Sequence, residues 1–161
     1  MVFGQSFKDN NLCSLTINNN AVDFVTEWKY LGVTIRNGNR LGFSARPDLT
    51  SFFRATNSVL NTLQGAHEHV LLSLLYTNCV PILTYACDVK EFSNTDMSDC
   101  NVAMDNAFRK IFGFKQWQSI RYLREFFGFE SLYVIFKNAR DRFLRSCKSH
   151  LNPIIRNISQ L

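Results

Sequence analysis

Tyr30-Leu31-Gly32-Val33-Thr34-Ile35-Arg36-Asn37-Gly38-Asn39-Arg40-Leu41-Gly42-Phe43-Ser44-Ala45-Arg46-Pro47-Asp48-Leu49-Thr50-Ser51-Phe52-Phe53-Arg54-Ala55-Thr56 holds the change of period on which the fold turns. Its opening run, Tyr30 to Ile35, is rich in the β-branched and aromatic residues of a strand, and Asn37-Gly38-Asn39 ends it with turn chemistry. From Arg46 the period becomes helical: Leu49, Phe52, Phe53, Thr56, Val59, Leu60 and Leu63 share one face, and Gly65 follows as a stop. The stretch therefore divides the chain into β before and α after.

Working outward toward the N-terminus, Leu12 to Ile17 and Ala21 to Val25 read as two more short strands, set off by Asp9-Asn10-Asn11 and Asn18-Asn19-Asn20. Two or three strands of this length do not stand alone in water, so they must lean on the helices. Toward the C-terminus a helix starts near His67 and carries Val70, Leu71, Leu74 and Leu75 inward. Pro81 then makes Val80 to Tyr85 either a kinked continuation or a new helix with proline in its first turn. Ser93-Asn94-Thr95-Asp96 has the form of a helix start, with Met97, Cys100, Met104, Ala107, Phe108 and Ile111 repeating behind it up to Gly113. A shorter helix is expected over Ser119 to Phe127, and a last one from Ser131 to about His150 with Leu132, Phe136, Ala139, Phe143 and Cys147 inward. Asn152-Pro153 breaks it and leaves a brief amphipathic tail. The expected fold is α+β: a short N-terminal antiparallel β-ribbon over residues 1–40, then a mainly helical bundle of about five helices over 41–161.

The chain has 161 residues, enough to bury a core without staples, and its 15 Phe with only 7 Gly and 3 Pro exclude collagenous and disordered classes. Residues 1–100 carry 7 basic and 9 acidic side chains (7 − 9 = −2), whereas residues 101–161 carry 11 and 4 (11 − 4 = +7). That asymmetry points to a polyanionic partner for the C-terminal third. The first residues have no basic stretch ahead of an apolar run, as a signal peptide would, and no apolar run is long enough to span a bilayer. Five widely spaced cysteines without a C-x-x-C pair suggest reduced thiols, hence an intracellular chain, in cytoplasm or nucleus.

Catalytic chemistry finds little support. Two-metal transfer needs converging carboxylates, and the sequence contains no Asp-Asp pair. Asp96 and Asp99 sit where a carboxylate caps a helix start. His67 and His69 point about 200° apart on a helix and cannot share a metal. No G-x-S-x-G, Walker A or G-x-G-x-x-G occurs. The chain is therefore expected to have no catalytic residue, no metal ligand and no cofactor of its own. The remaining candidates are cations: Arg109, Lys110 and Lys115 at the end of one helix, Arg121 and Arg124 on one face of the short helix, and Lys137, Arg145 and Lys148 along one side of the last, with Asp141 among them. They form either a solvated surface or a surface that tracks phosphates.

Trp28-Lys29-Tyr30-Leu31-Gly32-Val33-Thr34-Ile35 resembles the F/K-Y-L-G-V-x-I hairpin of non-LTR (LINE-type) retrotransposon reverse transcriptases. Further segments resemble the same family in the same order: an opening M-V-F-G, a helix containing Arg54-Ala55, Val80-Pro81-Ile82-Leu83-Thr84-Tyr85, and Ala107-Phe108-Arg109-Lys110-Ile111-Phe112-Gly113. The resemblance implies that Trp28, Lys29, Tyr30, Leu31 and Gly32 form a primer grip, the palm hairpin that holds the growing 3′ end. Gly32 would then remove a side chain where backbone meets a sugar-phosphate chain. It also implies a helical thumb in which Arg54 joins the C-terminal cations against an RNA–DNA or DNA duplex. The family's Y/F-A-D-D would lie upstream of Met1, so the chain is expected to begin inside a polymerase. Departures exist: after the P-I-L segment the family often has Y-G-x-E-x-W, where this chain has Tyr85-Ala86-Cys87-Asp88-Val89-Lys90. The expected function is weak, salt-sensitive duplex binding without catalysis and without a membrane, with self-association through the exposed palm-facing side of the ribbon. The alternative is a helical protein-interaction domain.

Overall fold

The computed structural model describes Met1, Phe3 and residues 15–158. The turn Asp9-Asn10-Asn11, the start of the first expected strand, and Val2 and Gly4 of the opening M-V-F-G lie outside the described residues; Phe3 forms an isolated bridge with Gly38. The architecture is α+β, with two small antiparallel sheets ahead of a helical bundle.

β1 (Leu15–Ile17) and β2 (Asn20–Val22) form a hairpin whose two-residue turn, Asn18-Asn19, takes φ of +50° and +63°. Positive φ at both central positions matches the natural twist of paired strands, and asparagine tolerates it. β3 (Glu27–Tyr30) and β4 (Val33–Arg36) repeat the device with Leu31-Gly32 at +46° and +79°. The run Tyr30 to Ile35, which composition alone presents as one strand, is thus split by a turn. Pairing of Trp28 with Ile35 and Tyr30 with Val33 puts four apolar side chains on one face of this hairpin. β5 (Gly42–Phe43) adds to β4, so the sheet runs β3-β4-β5 and the ribbon continues past residue 40. The chain turns back there instead of leaving, and the Asn37 amide bonds the Thr26 carbonyl at 2.9 Å.

α1 (Arg46–Thr62) has proline in its first turn and buries Phe52 and Thr56. Phe53, assigned to the same stripe, is exposed: it lies 100° round the helix from Phe52 and meets its ring edge-on at 6.0 Å. α2 (Glu68–Leu74) runs through one wide turn, Leu75–Cys79, into α3 (Val80–Thr84). In that turn the Val80 amide bonds the Leu75 carbonyl, five residues back. A π turn immediately before Pro81 lets the helix absorb a residue that has no amide to donate and whose ring crowds the preceding turn, so the chain continues where a break was one of two expectations. α4 (Asn94–Phe112) starts at Ser93, whose hydroxyl accepts the Asp96 amide and donates to the Asp96 carboxylate, and stops at Gly113 with φ of +68°. α5 (Arg121–Phe126) is shorter at both ends than its sequence pattern. α6 (Leu132–Lys148) is capped by Ser131, and α7 (Pro153–Ile158) follows the break.

The core lies where α1 meets α3 and α4 and where α6 closes over them. Phe52, Leu75, Leu83, Met104, Phe108 and Leu132 are fully buried there, each such side chain worth roughly 1.5–3 kcal/mol of transfer from water. A second aromatic layer joins it: Tyr76 stacks on Phe129 at 4.3 Å, and both rings touch Phe108.

Candidate nucleic-acid interface

The hairpin tip is positioned by a residue of a distant segment. The Tyr85 hydroxyl donates to the Leu31 carbonyl at 3.1 Å, and its ring lies so close to Gly32 that a Cβ there would stand 3.0 Å from Tyr85 Cε1. The close approach that Gly32 permits is therefore made by the protein's own tyrosine, not by open space that a strand of nucleic acid could fill. Trp28, Lys29, Tyr30 and Leu31 are exposed, with Trp28 and Tyr30 on the apolar face of the hairpin. Arg36 ties the other end of the hairpin down, donating to the Phe43 carbonyl and pairing with Asp96 at 3.1 Å.

Beside Tyr85 lies a buried ion pair that sequence reasoning missed. Lys90 keeps 1% of its side chain exposed, bonds Asp48 of the first turn of α1 at 2.7 Å, and sits 5.6 Å from the ring centres of both Tyr85 and Phe92. Asp48 also lies in the first turn of α1, where a carboxylate complements the positive end of the helix. Next in sequence, Glu91 pairs with Arg140 of α6.

The nine cations assigned to nucleic-acid binding fall into two kinds. Arg124 is mostly buried and held by Asp105 at 2.8 Å, and Arg121 pairs with Glu125 one turn away at 3.0 Å. The other seven have no carboxylate partner among the described residues. Arg109 bonds Asn106 and the Gln118 carbonyl, Lys110 bonds Asn57 of α1 at 2.9 Å, and Lys115 lies 5.2 Å from the Trp117 ring centre. Arg145 donates to the Asp141 carbonyl of its own helix, and Arg54, Lys137 and Lys148 are exposed. The structure brings Arg109, Arg121 and Arg124 to one cleft of about 320 Å³, shared with Asp105, Glu125 and the Ser119 and Ser131 residues. Lys137 lies in a different cleft, with Lys90, Tyr133 and Arg140, and Arg145 in a third with Arg142.

Cys79, Cys87 and Cys100 are poor nucleophiles. Burial, reinforced by the charges of Asp96, Asp48 and Asp99, pushes the Cys100 thiol up to about 12, and burial raises Cys79 and Cys87 as well. Burial also raises the Tyr76 phenol, against the opposing charge of Arg124, and its hydroxyl has no hydrogen-bond partner among the described residues. Among the described residues no three His, Cys, Asp or Glu side chains gather as a metal site would require, and no helix is long and apolar enough to cross a membrane. The exposed aromatics Trp117, Tyr122 and Phe126 were not among the expected site residues; their setting among cations in sequence is the signal that could have found them. No protein-family model matches the chain, and neither does a curated protein or a solved structure.

Proposed function

We propose that the chain is a palm-edge and thumb fragment of a non-LTR retrotransposon reverse transcriptase, which grips an RNA–DNA or DNA duplex weakly and without catalysing synthesis. What supports this most is the meeting of the segments that carry the resemblance. The tip of the 28–35 hairpin rests on Tyr85 of the P-I-L segment. The helix with Arg54 packs on both α3 and α4, and its Asn57 bonds Lys110 of the A-x-R-K-I-x-G segment. Seven cations with no carboxylate partner among the described residues favour a surface that exchanges counterions for phosphates. The sequence contains no Asp-Asp pair of the kind the family's catalytic motif supplies, which is what favours a reading without catalysis. Cytoplasm and nucleus are the compartments where such duplexes are met.

Duplex affinity is expected to fall steeply between about 50 and 200 mM salt. Reversing Lys137, Arg145 and Lys148 to Glu is expected to weaken it at least about tenfold and to flatten the log–log salt slope by about three. Affinity that ignores salt, or magnesium-dependent incorporation on a primed RNA template, overturns the proposal. The exposed apolar face of Trp28 and Tyr30 favours a second reading, a protein-interaction domain that self-associates; its contact would survive the same charge reversal.

A further inference from the structure

The connection from α4 to α5, together with α5 itself, presents the three most exposed aromatic side chains among the described residues: Trp117 at 79%, Tyr122 at 82% and Phe126 at 83%. Tyr122 and Phe126 stand one turn apart on α5, while Leu123 and Phe127 of the same segment pack on the core. The outward positions of so short a helix would ordinarily be polar. Phe126 is braced edge-on against Phe127 at 5.2 Å, so its ring is held out from the surface by a packed neighbour.

Charge accompanies these rings. Residues 106–126 carry Arg109, Lys110, Lys115, Arg121 and Arg124 against Glu125 alone, a balance of 5 − 1 = +4. Lys115 and Arg121 each lie within two residues of an exposed ring, and the Lys115 ammonium is 5.2 Å from the Trp117 ring centre. Arg109 and Arg121 line the cleft of about 320 Å³ that adjoins α5. The Arg121–Glu125 pair there is exposed on both sides and worth little, so Arg121 can change partner. That cleft also reaches Ser131, the cap of the 17-residue α6, whose first turn holds no acidic residue to neutralise its positive end. Protein-binding surfaces also use aromatics and arginine, but a lysine and a surplus of four positive charges are foreign to the centre of such an interface. Paired bases offer no free face to three outward rings, whereas unpaired bases do.

We propose that residues 115–126 bind single-stranded nucleic acid, with unpaired bases stacked on Trp117, Tyr122 and Phe126 and the adjoining phosphates met by Lys115, Arg109 and Arg121. The proposal rests on the nucleic-acid reading above for its polyanion and shares Arg109, Lys115 and Arg121 with it, but it names a different ligand form and adds the three aromatic residues on which the test turns. The test uses the full chain, a labelled oligouridylate about twelve nucleotides long and a blunt duplex, followed by anisotropy. The combined variant Trp117→Ala, Tyr122→Ala, Phe126→Ala removes only exposed side chains, and circular dichroism checks that it folds. Single-strand affinity is expected to fall at least about tenfold while duplex affinity changes less than about twofold. With Trp28→Phe leaving Trp117 as the sole tryptophan, its emission is expected to be quenched as the strand binds. The proposal is overturned if the unsubstituted chain does not bind the strand, if the variant binds it equally well, or if strand and duplex affinities fall together. It is equally overturned if the variant merely converts a dimer to a monomer with strand affinity intact. Failure of the duplex reading shows separately, in the Lys137, Arg145 and Lys148 reversal.

Discussion

Leu31 adopts φ of +46° at a turn position where asparagine is usual, and Gly32 beside it adopts +79°. A leucine there carries the steric cost of its Cβ against the following carbonyl, roughly 1–2 kcal/mol. Leu31→Asn is expected to raise stability by up to about 1 kcal/mol, and Gly32→Ala to lower it by at least about 1 kcal/mol. Urea unfolding followed by tryptophan emission measures both, and a neutral Gly32→Ala would show that the Tyr85 contact is dispensable. Gly32 was legible in the sequence as a place where something comes close. What comes close was not, because Tyr85 lies 53 residues further on and only tertiary packing brings it there. Asn18-Asn19 needed no such help: local chemistry sets that turn.

At the scale of elements, the segment after α3 is a strap. Tyr85 reaches the hairpin, Lys90 the first turn of α1 and Glu91 the middle of α6. Removing one partner of a buried pair leaves the other charge uncompensated, so Asp48→Ala is expected to cost about 3–5 kcal/mol. The double substitution Asp48→Ala, Lys90→Met is expected to recover most of that loss, because no buried charge remains. Chemical denaturation of the two variants decides it; equal losses would mean that packing, not charge, holds the strap. The elements themselves were largely legible. Ser93 and Ser131 cap where hydroxyl-bearing residues precede helical periodicity, and Gly113 stops α4. The wide turn before Pro81 was not, since periodicity places a proline but does not say whether the helix breaks or widens around it. The 90–48 pair was illegible for a related reason: a lysine and an aspartate 42 residues apart carry no mark of burial in the sequence.

For the whole molecule, the buried acids set the response to alkali. Cys100 is raised to about 12, and Cys79, Cys87 and Tyr76 are raised by the same burial. As pH climbs above about 8.5 the unfolded chain releases thiol protons that the folded chain retains. The stability these groups contribute is fully present below that pH and drains away as pH rises toward about 12. Urea midpoints are expected to fall steadily from pH 8 upward, and Cys100→Ala to make the fall shallower; a flat profile would mean that the thiols are not buried as described. The charge gradient of the chain was readable from the sequence, and so were most of the cations on its surface. Which were already spoken for was not: Arg124 looks like its neighbours until Asp105, 19 residues away, is found against it. The single bond from Tyr85 to Leu31 has a kinetic meaning too. The hairpin pairs residues at most nine positions apart and can zip within microseconds, whereas α1 meets α4 across a far longer stretch of chain. A hydrogen bond spanning 54 residues is a non-local contact, so it adds loop-closure entropy that the hairpin alone does not carry and forms only once the hairpin and the segment after α3 are brought together.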